Sequence, residues 1–151
     1  MAAWSVDLQC RRLASTDSGD DVFVLRRWTD FDFLIVALTR LRRACTLAAR
    51  VPQIRQFMLD ALSEFDTALP DLKRMRDVAE HVDEYAINRG RRKMVDRLAL
   101  EVSAMSHDGS TLEWLGARLN TNEASQAAQN CLHPFNRLQM LFLRWNRESD
   151  A

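Results

Sequence analysis

Apolar residues recur at helical spacing through three consecutive segments, and a proline stands at each boundary between them. Proline suits the first turn of a helix and disfavours helical geometry at the residue before it. Pro52 and Pro70 therefore each end one helix and begin the next. The pattern predicts helices over about 29–50, 52–69 and 70–88, with Asn88 and Gly90 as the final stop. Three successive amphipathic helices must bury their apolar faces against one another, which predicts a helical bundle.

The residues expected in the core share one face of each helix. They are Phe31, Leu34, Leu38, Leu41, Cys45 and Ala48 in the first, then Ile54, Phe57, Met58, Leu62 and Phe65, and finally Leu72, Met75, Val78, Ala79, Val82, Tyr85 and Ala86. Thr29 is expected to cap the first helix, with Asp30 and Asp32 facing its positive end. These faces would form one continuous core.

Two stretches alternate at a period of two instead. Leu98 to Ala104 precedes the turn pair Asp108-Gly109 and is followed by Thr111 to Leu115, which predicts a β-hairpin. At the N-terminus, Trp4, Val6, Leu8 and Cys10 alternate with polar residues before a second apolar run, Val22 to Leu25. That pattern favours two further short strands.

A last helix is expected from Thr121, with Ala124, Ala127, Ala128 and Cys131 inward and Pro134 as a kink. Leu138 to Trp145 is apolar nearly all round, so it must be buried in the core or against a second subunit. We therefore expect a homodimer that buries on the order of 1,000 Å² or more.

The fold class follows as mainly α: four helices with a β-hairpin inserted before the last, and short N-terminal strands. A chain of 151 residues, 47% of them apolar, is expected to form a single domain over 1–151. The longest apolar run, Phe33 to Leu38, is far shorter than the roughly 20 residues of a membrane span. No secretory signal is visible, so a cytoplasmic protein is expected.

Composition and motifs exclude several kinds of site. The three cysteines lie far apart without a CxxC pair, which indicates neither a disulfide framework nor a zinc site. Four glycines and no GxGxxG or GxxxxGK[ST] motif exclude a glycine-rich phosphate loop, and three dispersed histidines disfavour a metal site. No cofactor or metal is expected. Twenty-one basic residues balance 21 acidic ones, which argues against a broad basic surface.

The segment Arg76-Asp77-Val78-Ala79-Glu80-His81 carries the chemistry that does stand out. An arginine and a histidine separated by four residues in a helix resemble the signature of HEPN (higher eukaryotes and prokaryotes nucleotide-binding) domains. The resemblance implies a helical bundle with metal-independent ribonuclease activity, completed across a dimer, often in toxin or phage-defence systems with an antitoxin partner. The chain departs from many members by having Asp83, rather than a tyrosine, two residues after the histidine.

The residue types suit that chemistry. His81 can take a proton from an RNA 2′-hydroxyl or give one to the leaving oxygen, and Arg76 can bind phosphate oxygens. Asp77 lies one helical turn before His81 and is expected to orient its imidazole. Arg76 and His81 should emerge on opposite sides of the buried stripe, outside the core.

A second hypothesis assigns the same residues no catalysis. Arg76 and Glu80, at i and i+4, make an ordinary exposed ion pair, and Asp77 with His81 a surface hydrogen bond. The chain would then be a helical module for dimerisation or protein binding, without membrane contact.

Overall fold

The computed structural model describes residues 2–15, 25–91, 95, 97–101 and 103–133. Its first half is helical: α1 (Ala2–Ala14), α2 (Arg26–Ala48), a 3₁₀ turn (Pro52–Ile54), α3 (Arg55–Ala68), α4 (Leu72–Glu80) and α5 (Val82–Ala86). There follow α6 (Arg97–Glu101), β1 (Ser103–Met105), β2 (Thr111–Trp114), β3 (Ala117–Asn120) and a helix α7 over 121–133. The predicted mainly α fold with a β-hairpin is confirmed.

The first of the two predicted N-terminal strands is wrong, because residues 2–14 form α1. Ala3, Val6 and Leu13 are its buried residues, at the spacing of one helical face, whereas Trp4 and Leu8 are exposed. The alternation in this segment therefore coincides with a helical pattern, and packing against α2 decides between them. Val22 to Val24 lie outside the described residues, and Leu25 stands in the turn before α2.

A buried carboxylate joins α1 to α2. The Asp30 side chain, 1% exposed, accepts a bond from Arg12 Nε on α1 at 2.7 Å and lies 3.5 Å from Arg26 Nη1. Arg26 also donates to the carbonyl oxygens of Arg12 and Ser15, at 3.0 and 2.9 Å, where α1 ends. Two guanidinium groups thus compensate a charge that would otherwise be costly to bury.

The start of α2 also corrects a prediction. The helix begins at Arg26 rather than after Thr29, and the Thr29 hydroxyl donates to the Leu25 carbonyl inside the first turn. Asp30 consequently faces the core rather than the helix end. The expected inward residues Phe31, Leu34, Leu38, Leu41 and Cys45 are buried.

The second predicted helix is confirmed as α3 and the 3₁₀ turn, with Ile54, Met58, Leu62 and Phe65 buried. Phe57 was expected inward but is exposed. The third helix is broken: Leu72, Met75 and Val78 are buried in α4, but the backbone leaves helical geometry at His81 (φ −130°, ψ 32°).

The break changes which residues of the predicted stripe reach the core. Val82 and Ala86 are exposed, whereas Tyr85 is buried and its ring covers the position where Gly90 would carry a Cβ. Asn88, at φ 58°, ends α5, with the Asn88 N–H bonded to the Tyr85 carbonyl and the Arg89 N–H to the Glu84 carbonyl. That pair of bonds is the Schellman ending, so the predicted stop at Asn88 is confirmed.

The sheet has the order β1-β2-β3, with both pairs antiparallel. The Asp108-Gly109 turn is confirmed, and hydrogen bonds from Ser106 and Ser110 lower the pKa of Asp108 to about 2. Residues 98–101 were predicted as strand but belong to α6, in which Leu98 is exposed and Leu100 is partly buried. The third strand, β3, was not predicted from the sequence. Leu115 and Gly116, both at positive φ, form the two-residue turn into β3.

The tip of the β1–β2 hairpin lies on the junction of α1 and α2. Arg27 Nη1 donates to the His107 carbonyl, and Gly109 packs against the carbonyl of Leu13 at the end of α1. The sheet is therefore held by the same helix ends that Asp30 joins.

Helix α7 is capped by Asn120 rather than Thr121. The side-chain Oδ1 of Asn120 accepts from the N–H groups of Asn122 and Glu123 at 2.9 and 3.2 Å, whereas the Thr121 hydroxyl donates to the Ser110 backbone carbonyl. The inward residues Ala124, Ala127, Ala128 and Cys131 are buried as predicted. Pro134 and the apolar segment Leu138 to Trp145 lie outside the described residues.

We expect Asp30→Ala to lower the free energy of unfolding by about 3–5 kcal/mol, because it leaves two guanidinium groups around an uncompensated buried site. Asp7→Ala is the matched control: it removes an exposed i,i+4 pair with Arg11 and should cost less than about 1 kcal/mol. Urea unfolding measures both. Equal losses would contradict the role given to Asp30.

Two glycine variants separate backbone strain from contact. Gly109 and Gly116 have similar φ angles, 67° and 64°, but an added Cβ would overlap the Leu13 carbonyl only at Gly109. Gly116→Ala should therefore cost only the backbone term of about 1–2 kcal/mol, and Gly109→Ala clearly more. Thermal unfolding of the two variants measures both losses of stability. A larger loss for Gly116→Ala than for Gly109→Ala would contradict the packing of the hairpin tip against α1.

Candidate functional site

The predicted site residues lie where α4 meets α5. Arg76 and Asp77 belong to the second half of α4, and His81 is the single residue between the two helices. The neighbouring Met75 and Val78 are completely buried and fix α4 against α2. Arg76 and His81, with side chains 22% and 52% exposed, lie outside this buried stripe, as predicted.

The Arg76 guanidinium is engaged by two carboxylates. Its Nη1 lies 2.7 Å from Glu80 Oε2 and its Nη2 lies 2.8 Å from Asp77 Oδ1. The i,i+4 ion pair expected from the non-catalytic hypothesis is therefore present. Both carboxylates would compete with any phosphate that approaches Arg76.

The carboxylate beside His81 is Glu84, not the expected Asp77. His81 Nδ1 lies 3.6 Å from Glu84 Oε1, while Asp77 pairs with Arg76. Asp77 is held by Arg76, and His81 and Glu84 stand at i and i+3, a spacing at which helical side chains meet. Sequence reasoning missed Glu84 because it considered only the i,i+4 partner of His81.

A cleft of about 410 Å³ lies between α2 and α4. Four basic residues line it, Arg42 and Arg43 from α2 and Lys73 and Arg76 from α4, together with one carboxylate, Asp66. Sequence reasoning missed this grouping because its members come from three helices. His81 is not among the lining residues, so the structure brings Arg76 but not His81 into the cleft.

Arg42 and Asp66 form a two-pronged ion pair in the cleft wall. Arg42 Nε and Nη2 lie 2.6 Å from Asp66 Oδ1 and Oδ2, respectively, and the side chains are 44% and 48% exposed. The hydrogen bonds to Asp66 raise the pKa of Arg42. Within the described part of the chain, neither Arg43 nor Lys73 forms an ion pair, and both are exposed.

Other chemistry is limited in the part of the chain that the structure describes. No three His, Cys, Asp or Glu side chains there group as a metal site, and no helix there is long and apolar enough to cross a membrane. Burial and the nearby Asp7 raise the pKa of the Cys10 thiol to about 11, which disfavours a reactive thiolate. The neighbouring thiols of Cys45 and Cys131 are both buried.

Comparison of the chain with protein-family models, with curated protein sequences and with solved structures gives no match. The chemistry of the site follows from its own geometry: an exposed imidazole beside a carboxylate, and a basic cleft that contains the neighbouring arginine.

We expect Arg76→Ala and His81→Ala each to change the free energy of unfolding by about 1 kcal/mol or less, because both lose only partly exposed ion pairs. Met75→Ala, one residue away but completely buried, should cost about 2–5 kcal/mol. Chemical unfolding of the three variants measures the contrast. A loss at Arg76 as large as that at Met75 would show that the arginine holds the bundle together.

Proposed function

We propose that this protein is a metal-independent RNA endonuclease, with His81 as general acid/base and Arg76 as the phosphate-binding group. The observation that carries the proposal is the exposed His81 imidazole with Glu84 at its Nδ1, five residues after an arginine that lines a basic cleft. An imidazole so placed is accessible to a large substrate and has a carboxylate near its Nδ1.

The arrangement supports a defined sequence of proton transfers. When the 3.6 Å separation between Nδ1 and Glu84 Oε1 closes to a hydrogen bond, the imidazole adopts the tautomer in which Nε2 is free to accept a proton. Nε2 takes the proton of the RNA 2′-hydroxyl, the 2′-oxygen bonds to phosphorus, and the bond from phosphorus to the 5′-oxygen breaks. The leaving 5′-oxygen takes a proton back from the protonated His81 Nε2, which yields a cyclic phosphate and a 5′-hydroxyl and returns the imidazole to its neutral form. Arg76 binds the charged phosphoryl oxygens once they displace Asp77 or Glu80 from its guanidinium.

The proposal includes a homodimer and a cytoplasmic location. The Arg76-x4-His81 spacing is similar to that of HEPN domains, whose sites are completed across a dimer, and one copy's cleft does not contain both groups. Two copies of the α4–α5 corner facing each other would bring both groups from each chain together. A toxin or phage-defence role with an antitoxin partner belongs to the same proposal.

A second candidate is a non-catalytic dimerisation or protein-interaction module. The observation that favours it is the pairing of Arg76 with both Glu80 and Asp77, which needs no substrate to explain it. Exposed apolar side chains on α1 and α2, among them Trp4, Leu8 and Phe33, fit a protein partner.

The decisive experiment is cleavage of mixed single-stranded RNA with EDTA present. We expect wild type to cleave and His81→Ala to be at least about a hundredfold slower, as for loss of a positioned acid/base. His107→Ala, another exposed histidine, is the matched control and should keep wild-type activity. DNA should not be cleaved, because it lacks the 2′-hydroxyl.

Variants of the two carboxylates test the site in finer detail. Glu84→Gln should slow cleavage by about 10- to 100-fold through loss of the orienting contact, and Asp77→Asn should not. Activity that requires Mg²⁺, or that survives His81→Ala, would contradict the proposal. A dimer in light scattering without any RNA cleavage would favour the interaction module.

A further inference from the structure

We propose that the cleft between α2 and α4 is a binding site for the backbone phosphates of a single-stranded nucleic acid, in which Asp66 acts as an internal competing anion. The inference rests on the proposed function, which supplies RNA as the ligand. It goes further by assigning substrate binding to Arg42, Arg43 and Lys73, outside the Arg76–His81 segment.

The first support is the local excess of positive charge. Arg42 and Arg43 are consecutive on α2, and Lys73 and Arg76 are one turn apart on α4, so both walls are basic. The whole chain has a formal net charge of zero, with 21 basic and 21 acidic residues. Even with Asp66 and the two carboxylates paired with Arg76 counted against them, these four cations leave a local positive excess that the composition of the whole chain does not explain.

The second support is the geometry of the Arg42–Asp66 pair. Two parallel bonds of 2.6 Å from one guanidinium are the same arrangement by which arginine binds phosphate oxygens. The carboxylate thus occupies the place that two phosphoryl oxygens would take. Because both side chains are nearly half exposed, the pair is weak enough to exchange for an incoming anion.

The third support is that two of the cations can bind a phosphate without first releasing a carboxylate. Arg43 and Lys73 are exposed, and neither forms an ion pair within the described residues. They would make the first contacts with a phosphate, and Arg42 would follow as it leaves Asp66. Arg76 lies in the same cleft, so a strand held there continues toward the α4–α5 corner and His81.

Binding is tested separately from cleavage with a fluorescently labelled single-stranded DNA of twelve nucleotides, which has no 2′-hydroxyl to react. We expect the double variant Arg43→Ala/Lys73→Ala to raise the Kd at least about tenfold and to reduce the salt slope by about 1.4, or about 0.7 per cation for single strands. Arg50→Ala/Arg55→Ala removes the same charge from exposed positions outside the cleft and should change the Kd by less than about twofold.

The role of Asp66 predicts a change of opposite sign. Asp66→Asn frees Arg42 and should lower the Kd by several fold, whereas Asp60→Asn, an equal charge change elsewhere on α3, should not. If Asp66 were only structural, Asp66→Asn would lower the Tm without tightening binding. Melting curves of every variant show that the fold is kept.

The outcomes separate this inference from the nuclease proposal. Binding that depends on Arg43, Lys73 and Asp66 without RNA cleavage supports the site and rejects the nuclease. RNA cleavage with unchanged binding in the cleft variants rejects the site and leaves the nuclease standing. Inorganic phosphate that displaces the DNA at equal phosphate concentration would overturn the assignment to a strand in favour of a small phosphate compound.

Discussion

The carboxylate of Asp30 is almost completely removed from solvent and lies between the guanidinium groups of Arg12 and Arg26. A charge in that position is tolerated only while both partners stay in place, so it fixes the end of α1 against the first turns of α2. Arg26 also donates to carbonyl oxygens at the end of α1. The hairpin tip contacts the same junction, because Gly109 packs against the end of α1 and Arg27 of α2 donates to the His107 carbonyl. The sheet and the two N-terminal helices thus share one junction.

Helix α2 extends from this junction to the candidate site. Its buried face contacts α3 and α4, and its later exposed residues, Arg42 and Arg43, form one wall of the cleft. On the other wall, burial of Met75 and Val78 holds α4 so that Arg76 reaches the cleft. The cations are therefore placed by core packing, which leaves Arg42, Arg43 and Lys73 exposed to water and Arg76 partly buried.

Two of the four arginine and lysine side chains in the cleft, Arg42 and Arg76, are paired with carboxylates. Asp66 holds Arg42, and Asp77 with Glu80 holds Arg76, so an anionic ligand would have to displace acidic side chains before it could bind either of these two arginines. Ligand exchange of this kind is favourable for a ligand with several phosphates, because each released arginine adds a further charged contact. Glu84 has a different part, since it adjoins the imidazole of His81 rather than a guanidinium.

Local backbone preferences and burial of a single face were enough to predict the helices that have a strong one-sided apolar pattern, the proline boundaries, the stop at Asn88 and the turn at Asp108-Gly109. The same reasoning placed Arg76 and His81 at the margin of the core. The helical state of residues 2–14 depends instead on tertiary packing, since packing on α2 outweighs a weak alternation. Tertiary packing likewise buried Asp30 rather than leaving it at a helix end. It broke the helix at His81 and set Tyr85 against Gly90. It also paired Asp77 with Arg76, which left Glu84 as the carboxylate beside the imidazole. The basic cleft has no local signature, because its cations come from separate segments of α2 and α4 that meet only when the helices pack.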